Sequence, residues 1–127
     1  MLEGKPFMAF IPVTELDGAR AFYEGVLGLP VTDENPYALV VDAGGTMLRL
    51  TRVDALQPQP FTVAGWAVAD IGPVIDELVD RGVAFVRYDG MEQDERAIWS
   101  TPDRDQIAWF RDPDGNTLSL TCFGSGR

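Results

Sequence analysis

A chain of 127 residues, 46% hydrophobic and 24% charged, has the length and composition of one globular domain with a real core, which excludes disorder and fibrous repeats. Its formal net charge of −10 opposes binding to phosphate backbones, which needs clustered Lys and Arg, so nucleic acid is not an expected partner. There is no histidine and only one cysteine, Cys122, which removes imidazole bases, Ser-His-Asp and Cys-His pairs, the commonest transition-metal ligand and any internal disulfide.

The apolar run Phe7 to Val13 reads as a buried strand. Thr14-Glu15 then opens a helix in which Leu16, Ala19, Phe22, Tyr23 and Val26 recur at helical spacing, and Gly28 after Leu27 supplies a C-cap. Short strands follow at Pro30 to Asp33, Tyr37 to Asp42 and, entered through Gly44-Gly45, Thr46 to Val53. Residues 54–60 carry Pro58 and Pro60 among polar neighbours and read as a linker. Phe61 to Val68 is the next strand. Asp70 is the expected N-cap of a helix with Pro73 in its first turn and Ile71, Val74, Ile75, Leu78 and Val79 on one face. Gly82 stops that helix, Val83 to Tyr88 reads as a strand, and Ile107 to Arg111 with Thr117 to Phe123 forms a hairpin around Asp112-Pro113-Asp114-Gly115-Asn116. No apolar run reaches the length of a membrane span and no signal-peptide layout precedes the first strand, so the expected location is the cytoplasm.

The order β-α-β-β-β therefore occurs twice. Val13-Thr14-Glu15-Leu16 falls on Val68-Ala69-Asp70-Ile71, and Gly45-Thr46-Met47-Leu48-Arg49-Leu50 falls on Gly115-Asn116-Thr117-Leu118-Ser119-Leu120. The second half carries extra chain, largely Asp89 to Arg104. The expectation is one α+β domain over 1–127: two tandem βαβββ modules, about 6–53 and 61–123, forming a half-open mixed sheet cavity with helices on the outer faces.

Alternation along the strands sends Met8, Phe10 and Pro12, then Met47, Arg49 and Thr51, then Thr117, Ser119 and Thr121 to the cavity side. That lining is an apolar floor with a few polar points, suited to an aromatic or amphipathic small molecule with Arg49 as counter-ion to a carboxylate or phenolate. A structural ion pair or simple exposure competes as the role of Arg49. Trp66 and Tyr23 are expected in the core. Trp99, on a polar excursion, is expected to lid the pocket, to anchor a dimer contact or to cover a sheet edge. Glu92, Asp94 and Glu95 read as a solvated loop before they read as a general base, and Cys122 as an inert thiol.

The three motif groups, Val13 to Leu29, Val68 to Val83 and Phe110-Arg111-Asp112-Pro113-Asp114-Gly115-Asn116, resemble the vicinal oxygen chelate superfamily of glyoxalase, bleomycin-resistance and extradiol dioxygenase proteins. Asp89 to Asp94 with Ile98-Trp99 resembles a bacterial subgroup mostly of unassigned function. The resemblance implies four metal-ligand positions, on the first, fourth, fifth and last strands. They fall on Met8, Arg49, Val63 and Ser119, none an ordinary ligand for a hard or borderline divalent ion. It also implies that Phe110 reaches the cavity. The expected protein is a homodimeric, metal-independent small-molecule binder of the bleomycin-resistance type, without cofactor; the alternative is a glyoxalase-like lyase or isomerase with an atypical metal site or a carboxylate base.

Overall fold

The computed structural model describes residues 1–124, and the chain divides into two compact units, Met1–Gln57 and Pro58–Arg127, with the division inside the expected linker. Both units are βαβββ modules, and the protein is an α+β fold of two four-stranded mixed sheets.

In the first unit β1 (Met8–Val13) leads into α1 (Leu16–Arg20), whose helix widens to π geometry over Ala21–Val26. Leu27 N–H donates to the Phe22 carbonyl at 2.9 Å, a bond one residue longer than an α-helix makes. Gly28, at φ +74, then reverses the chain, and Leu29 N–H closes onto the Tyr23 carbonyl at 3.0 Å. The strands β2 (Val31–Asn35), β3 (Ala38–Ala43) and β4 (Thr46–Arg52) complete a sheet of order β1-β4-β3-β2, with β1 and β4 parallel and the other pairs antiparallel. Gly44 and Gly45 both have positive φ, which the two-residue turn between β3 and β4 demands, and Asp42 Oδ1 accepts from Gly45 N–H at 2.8 Å. The helix packs on β3 and β4. Ala19 and Tyr23 are buried with Ile11, Val13, Leu39, Val41, Leu48 and Leu50, each large aliphatic worth about 1.5–3 kcal/mol of transfer energy.

The second unit repeats the plan with β5 (Thr62–Ala67), α2 (Ile71–Asp80), β6 (Trp99–Ser100), β7 (Gln106–Arg111) and β8 (Thr117–Cys122), in the order β5-β8-β7-β6 with β5 and β8 parallel. Asp70 holds the N-cap position without a side-chain cap bond, and Gly82, at φ +95, ends the turn that follows the helix. Ile71, Ile75 and Leu78 are buried, whereas Val79 is 51% exposed and lies off the packed stripe.

One expected strand is absent. Val83 to Tyr88 forms no ladder; Val86 N–H bonds once to the Trp109 carbonyl, and the edge beside β7 is filled instead by Trp99–Ser100. The reason is Gln93, whose amide accepts from Tyr88 N–H at 2.8 Å and donates to the carbonyls of Val86 and Ala97 at 2.9 and 3.0 Å, taking the place of strand partners.

Candidate functional site

Each sheet has one face under its helix and one open face. On the first sheet the register pairs Met8 with Met47, Phe10 with Arg49 and Pro12 with Thr51, so these six side chains share the open face, as alternation requires. Met8, Phe10 and Met47 are exposed there, Phe10 by 61%. Arg49 sits between Phe10 and the buried Val40 on the neighbouring strands. Its guanidinium makes no ion pair or hydrogen bond with any described residue, while Arg20, Arg52, Arg81 and Arg96 all pair with carboxylates.

On the second sheet Ser119 lies between Gly65 and Trp109. A Cβ at Gly65 would collide with Ser119 Oγ, so the glycine makes room for the hydroxyl of a residue only 9% exposed. Trp109 reaches over β8 and donates its indole N–H to Thr62 Oγ1 at 3.1 Å. Trp99 stacks on it with ring centroids 6.3 Å apart, and Tyr88 meets it edge to face at 5.5 Å. Trp99 is thus a strand residue within an aromatic cluster. Val63 lies at the irregularity in the β5–β8 register between Thr62 and Ala64, exposed and unpaired in the ladder.

Phe110 is placed differently from the expectation. It is 0% exposed, shares the covered face with Leu118 and Ala108, and packs against Trp66 at 6.4 Å and Phe85 at 5.5 Å. The open-face aromatic is its neighbour Trp109. Sequence reasoning put the two on opposite faces but gave the cavity to Phe110. Once Leu118 is taken as core, its cross-strand partner Phe110 must be core too. Tyr88 and Thr62, which order the cluster, carried no sequence signal.

The four positions to which the resemblance assigned metal ligands lie on adjacent parallel strands, Met8 on β1 and Arg49 on β4, Val63 on β5 and Ser119 on β8, and neither pair are direct cross-strand partners. A thioether, a permanent cation, a hydrocarbon and a hydroxyl are not a donor set for a divalent ion. Among the described residues no group of three or more His, Cys, Asp or Glu side chains could hold one. The acidic loop is structural in part, since Asp94 Oδ1 accepts from Arg96 and Ile98 N–H at 2.9 Å each. Cys122 Sγ donates to the Ala69 carbonyl at 3.3 Å. The groups with shifted pKa, Arg20 and Arg96 raised by the hydrogen bonds they donate to Glu24 and Asp76, and Asp76 lowered by accepting from Arg96, are ion pairs outside both open faces. Among the described residues no helix is long and apolar enough to cross a membrane.

This duplicated βαβββ architecture defines a family. Residues 6–120 match the profile of the Glyoxalase/Bleomycin resistance protein/Dioxygenase superfamily, and the chain belongs to it. Similar solved structures include a superfamily member from Sphaerobacter thermophilus DSM 20745 (TM-score 0.74, 25% identity, covering 96% of this chain and 99% of that one). A glyoxalase/bleomycin resistance protein/dioxygenase from Alicyclobacillus acidocaldarius superposes with TM-score 0.70 at 20% identity over 94% and 92% of the two chains. A lactoylglutathione lyase from Agrobacterium tumefaciens gives TM-score 0.67 at 20% identity over 93% of each chain. At these identities the last two share the fold. No curated protein matches the sequence significantly.

Proposed function

We propose that this protein is a metal-independent small-molecule-binding member of the superfamily, a cytoplasmic homodimer that sequesters an aromatic or amphipathic compound on the open faces of its sheets. The observation that carries this reading is the donor set at the family's metal positions: Met8, Arg49, Val63 and Ser119 cannot assemble a coordination sphere, and Arg49 would repel the ion. Sequestration needs affinity alone, so the missing catalytic groups do not count against it. Met8, Phe10 and Met47 offer apolar surface, Trp99 and Trp109 offer π surface, and Arg49 offers an unneutralised guanidinium.

The test is elemental analysis of the native purified protein, followed by a ligand-induced melting screen with and without divalent ions. Ligands that raise the melting temperature equally with and without metal are the expected result. Stoichiometric metal whose removal abolishes ligand binding overturns the reading. Within the screen, Arg49→Ala weakens anionic ligands by roughly tenfold and leaves neutral ones unchanged. Trp99→Ala lowers ligand affinity or dimerisation, the latter read by sedimentation.

A further inference from the structure

A hollow at the hairpin end of the second sheet is not accounted for by the family or by the open-face reading. Pro58, Gln59, Pro60, Arg111, Gly115 and Thr117 line a volume of about 330 Å³, at the small end of the ~300–1,000 Å³ typical of ligand sites. Its frame is fixed locally. The prolines hold their own φ, and Pro58 lies against the hairpin turn, where a Cβ on Gly115 would stand 3.1 Å from Pro58 Cγ. Gly115 itself has φ +89, so this turn position is built for glycine twice over.

The chemistry of the lining is one-sided. Arg111 and Thr117 are direct cross-strand partners, so their side chains leave the same face of the sheet. The exposed Arg111 guanidinium makes no ion pair or hydrogen bond with any described residue. Thr117 is 2% exposed, and its hydroxyl has no hydrogen-bond partner among the described residues. No Asp or Glu lines the hollow. The adjacent carboxylate of Asp112 is already committed, accepting from the backbone N–H groups of Asp114 and Asn116 at 3.0 and 2.9 Å and from Asn116 Nδ2 at 2.9 Å. In a chain with 20 acidic and 10 basic residues, a guanidinium left without a carboxylate beside an unused hydroxyl lacks an anion.

We propose that this hollow binds the carboxylate of a small organic acid. The Arg111 fork takes the two carboxylate oxygens, the Thr117 hydroxyl donates a further hydrogen bond, and the rings of Pro58 and Pro60 pack on the hydrocarbon part. A single cation matches a monoanion. The apolar proline walls and the net charge of −10 disfavour a hydrated phosphate dianion. The site stands or falls separately from the open-face reading, which turns on Arg49.

Benzoate titrated into the full chain, followed by calorimetry and by NMR of backbone and arginine side-chain N–H groups, tests it. The expected result is saturable binding read as shifts at Arg111, Gly115 and Thr117, with no benzamide-induced shifts at those three residues. Arg111→Gln, on an exposed side chain, weakens the binding read at Gly115 and Thr117 roughly 10- to 100-fold, Arg111→Lys falls between, Thr117→Val costs roughly threefold to tenfold, and Arg81→Gln, at the exposed C-cap of α2, changes nothing. The proposal is overturned by the absence of saturable shifts at Arg111, Gly115 and Thr117, by unchanged affinity at those residues in Arg111→Gln, or by inorganic phosphate binding there as tightly as benzoate.

Discussion

The indole N–H of Trp109 donates to Thr62 Oγ1 at 3.1 Å, and because Trp109 lies on β7 and Thr62 on β5, this bond crosses the intervening strand β8. It draws the indole across the sheet and leaves the ring only its π surface to offer. Thr62→Val keeps the shape and removes the acceptor. The expected cost is about 0.5–1 kcal/mol in urea unfolding, with a shifted tryptophan emission spectrum. Unchanged stability and emission together would show that the bond does not hold the ring.

Gly65 and Ser119 are coupled through space. Gly65→Ala drives a methyl into Ser119 Oγ, and overpacking of this kind costs about 1–3 kcal/mol. Ser119→Ala in the same chain recovers part of that loss and no more, because the Ser119 carbonyl oxygen still stands 3.1 Å from the new Cβ. A double-mutant cycle by denaturant unfolding reads the coupling, and strict additivity would refute it.

Phe110→Ala removes a ring buried between Trp66 and Phe85 and costs about 3–5 kcal/mol of stability. Trp109→Ala, on the open face, leaves a far more stable protein but one with altered ligand affinity. If the two variants changed places in these measurements, the assignment of faces would be reversed.

Arg96 grips Asp76 through two bonds, Nε to Oδ1 at 2.9 Å and the second terminal nitrogen to Oδ2 at 3.0 Å. That hydrogen bonding, ahead of the opposing desolvation, holds the Asp76 carboxyl below its ordinary value. The unfolded chain therefore takes up this proton at a higher pH than the folded one. The contribution is fully present above the ordinary aspartate range and is lost as pH falls through the depressed folded value. The pair is solvent-exposed, so the effect is small and shrinks with salt. Carboxyl-carbon NMR titration gives the depressed pKa directly, and Asp76→Asn removes this step from the acid limb of the stability profile. An ordinary pKa at Asp76 would mean the pair is not held in solution.

The sequence is most legible where one local rule acts alone. The spacing of Ile71, Ile75 and Leu78 identified α2, the glycines at 28, 44, 45, 82 and 115 all adopt positive φ, and the duplicated strand order identified the sheets. Alternation placed Met8, Phe10, Met47 and Arg49 on one face correctly. It failed where a side chain does the work of a backbone. Gln93 looks like ordinary polar surface, yet its amide serves three backbone groups and so dissolves the strand that Val83 to Tyr88 would have made. The π widening over Ala21–Val26 is equally silent, because its apolar spacing is also that of an α-helix. The hollow at Arg111 was illegible because it depends on how residues 58–60 fold back onto the hairpin turn, a long-range contact with no local pattern.

Both modules close by setting their first strand beside their last, β1 beside β4 and β5 beside β8. That arrangement imposes an order on synthesis. Emerging at ~5–20 residues per second, β2, β3 and β4 zip together as neighbours, but β1 finds no partner until Thr46–Arg52 has left the ribosome. Until then Met8 to Val13 is an unpaired apolar edge, the exposure that recruits chaperones or neighbouring chains. A nascent chain with Thr46–Arg52 still inside the ribosome carries that liability, and one extruded through Arg52 has the partner strand that removes it.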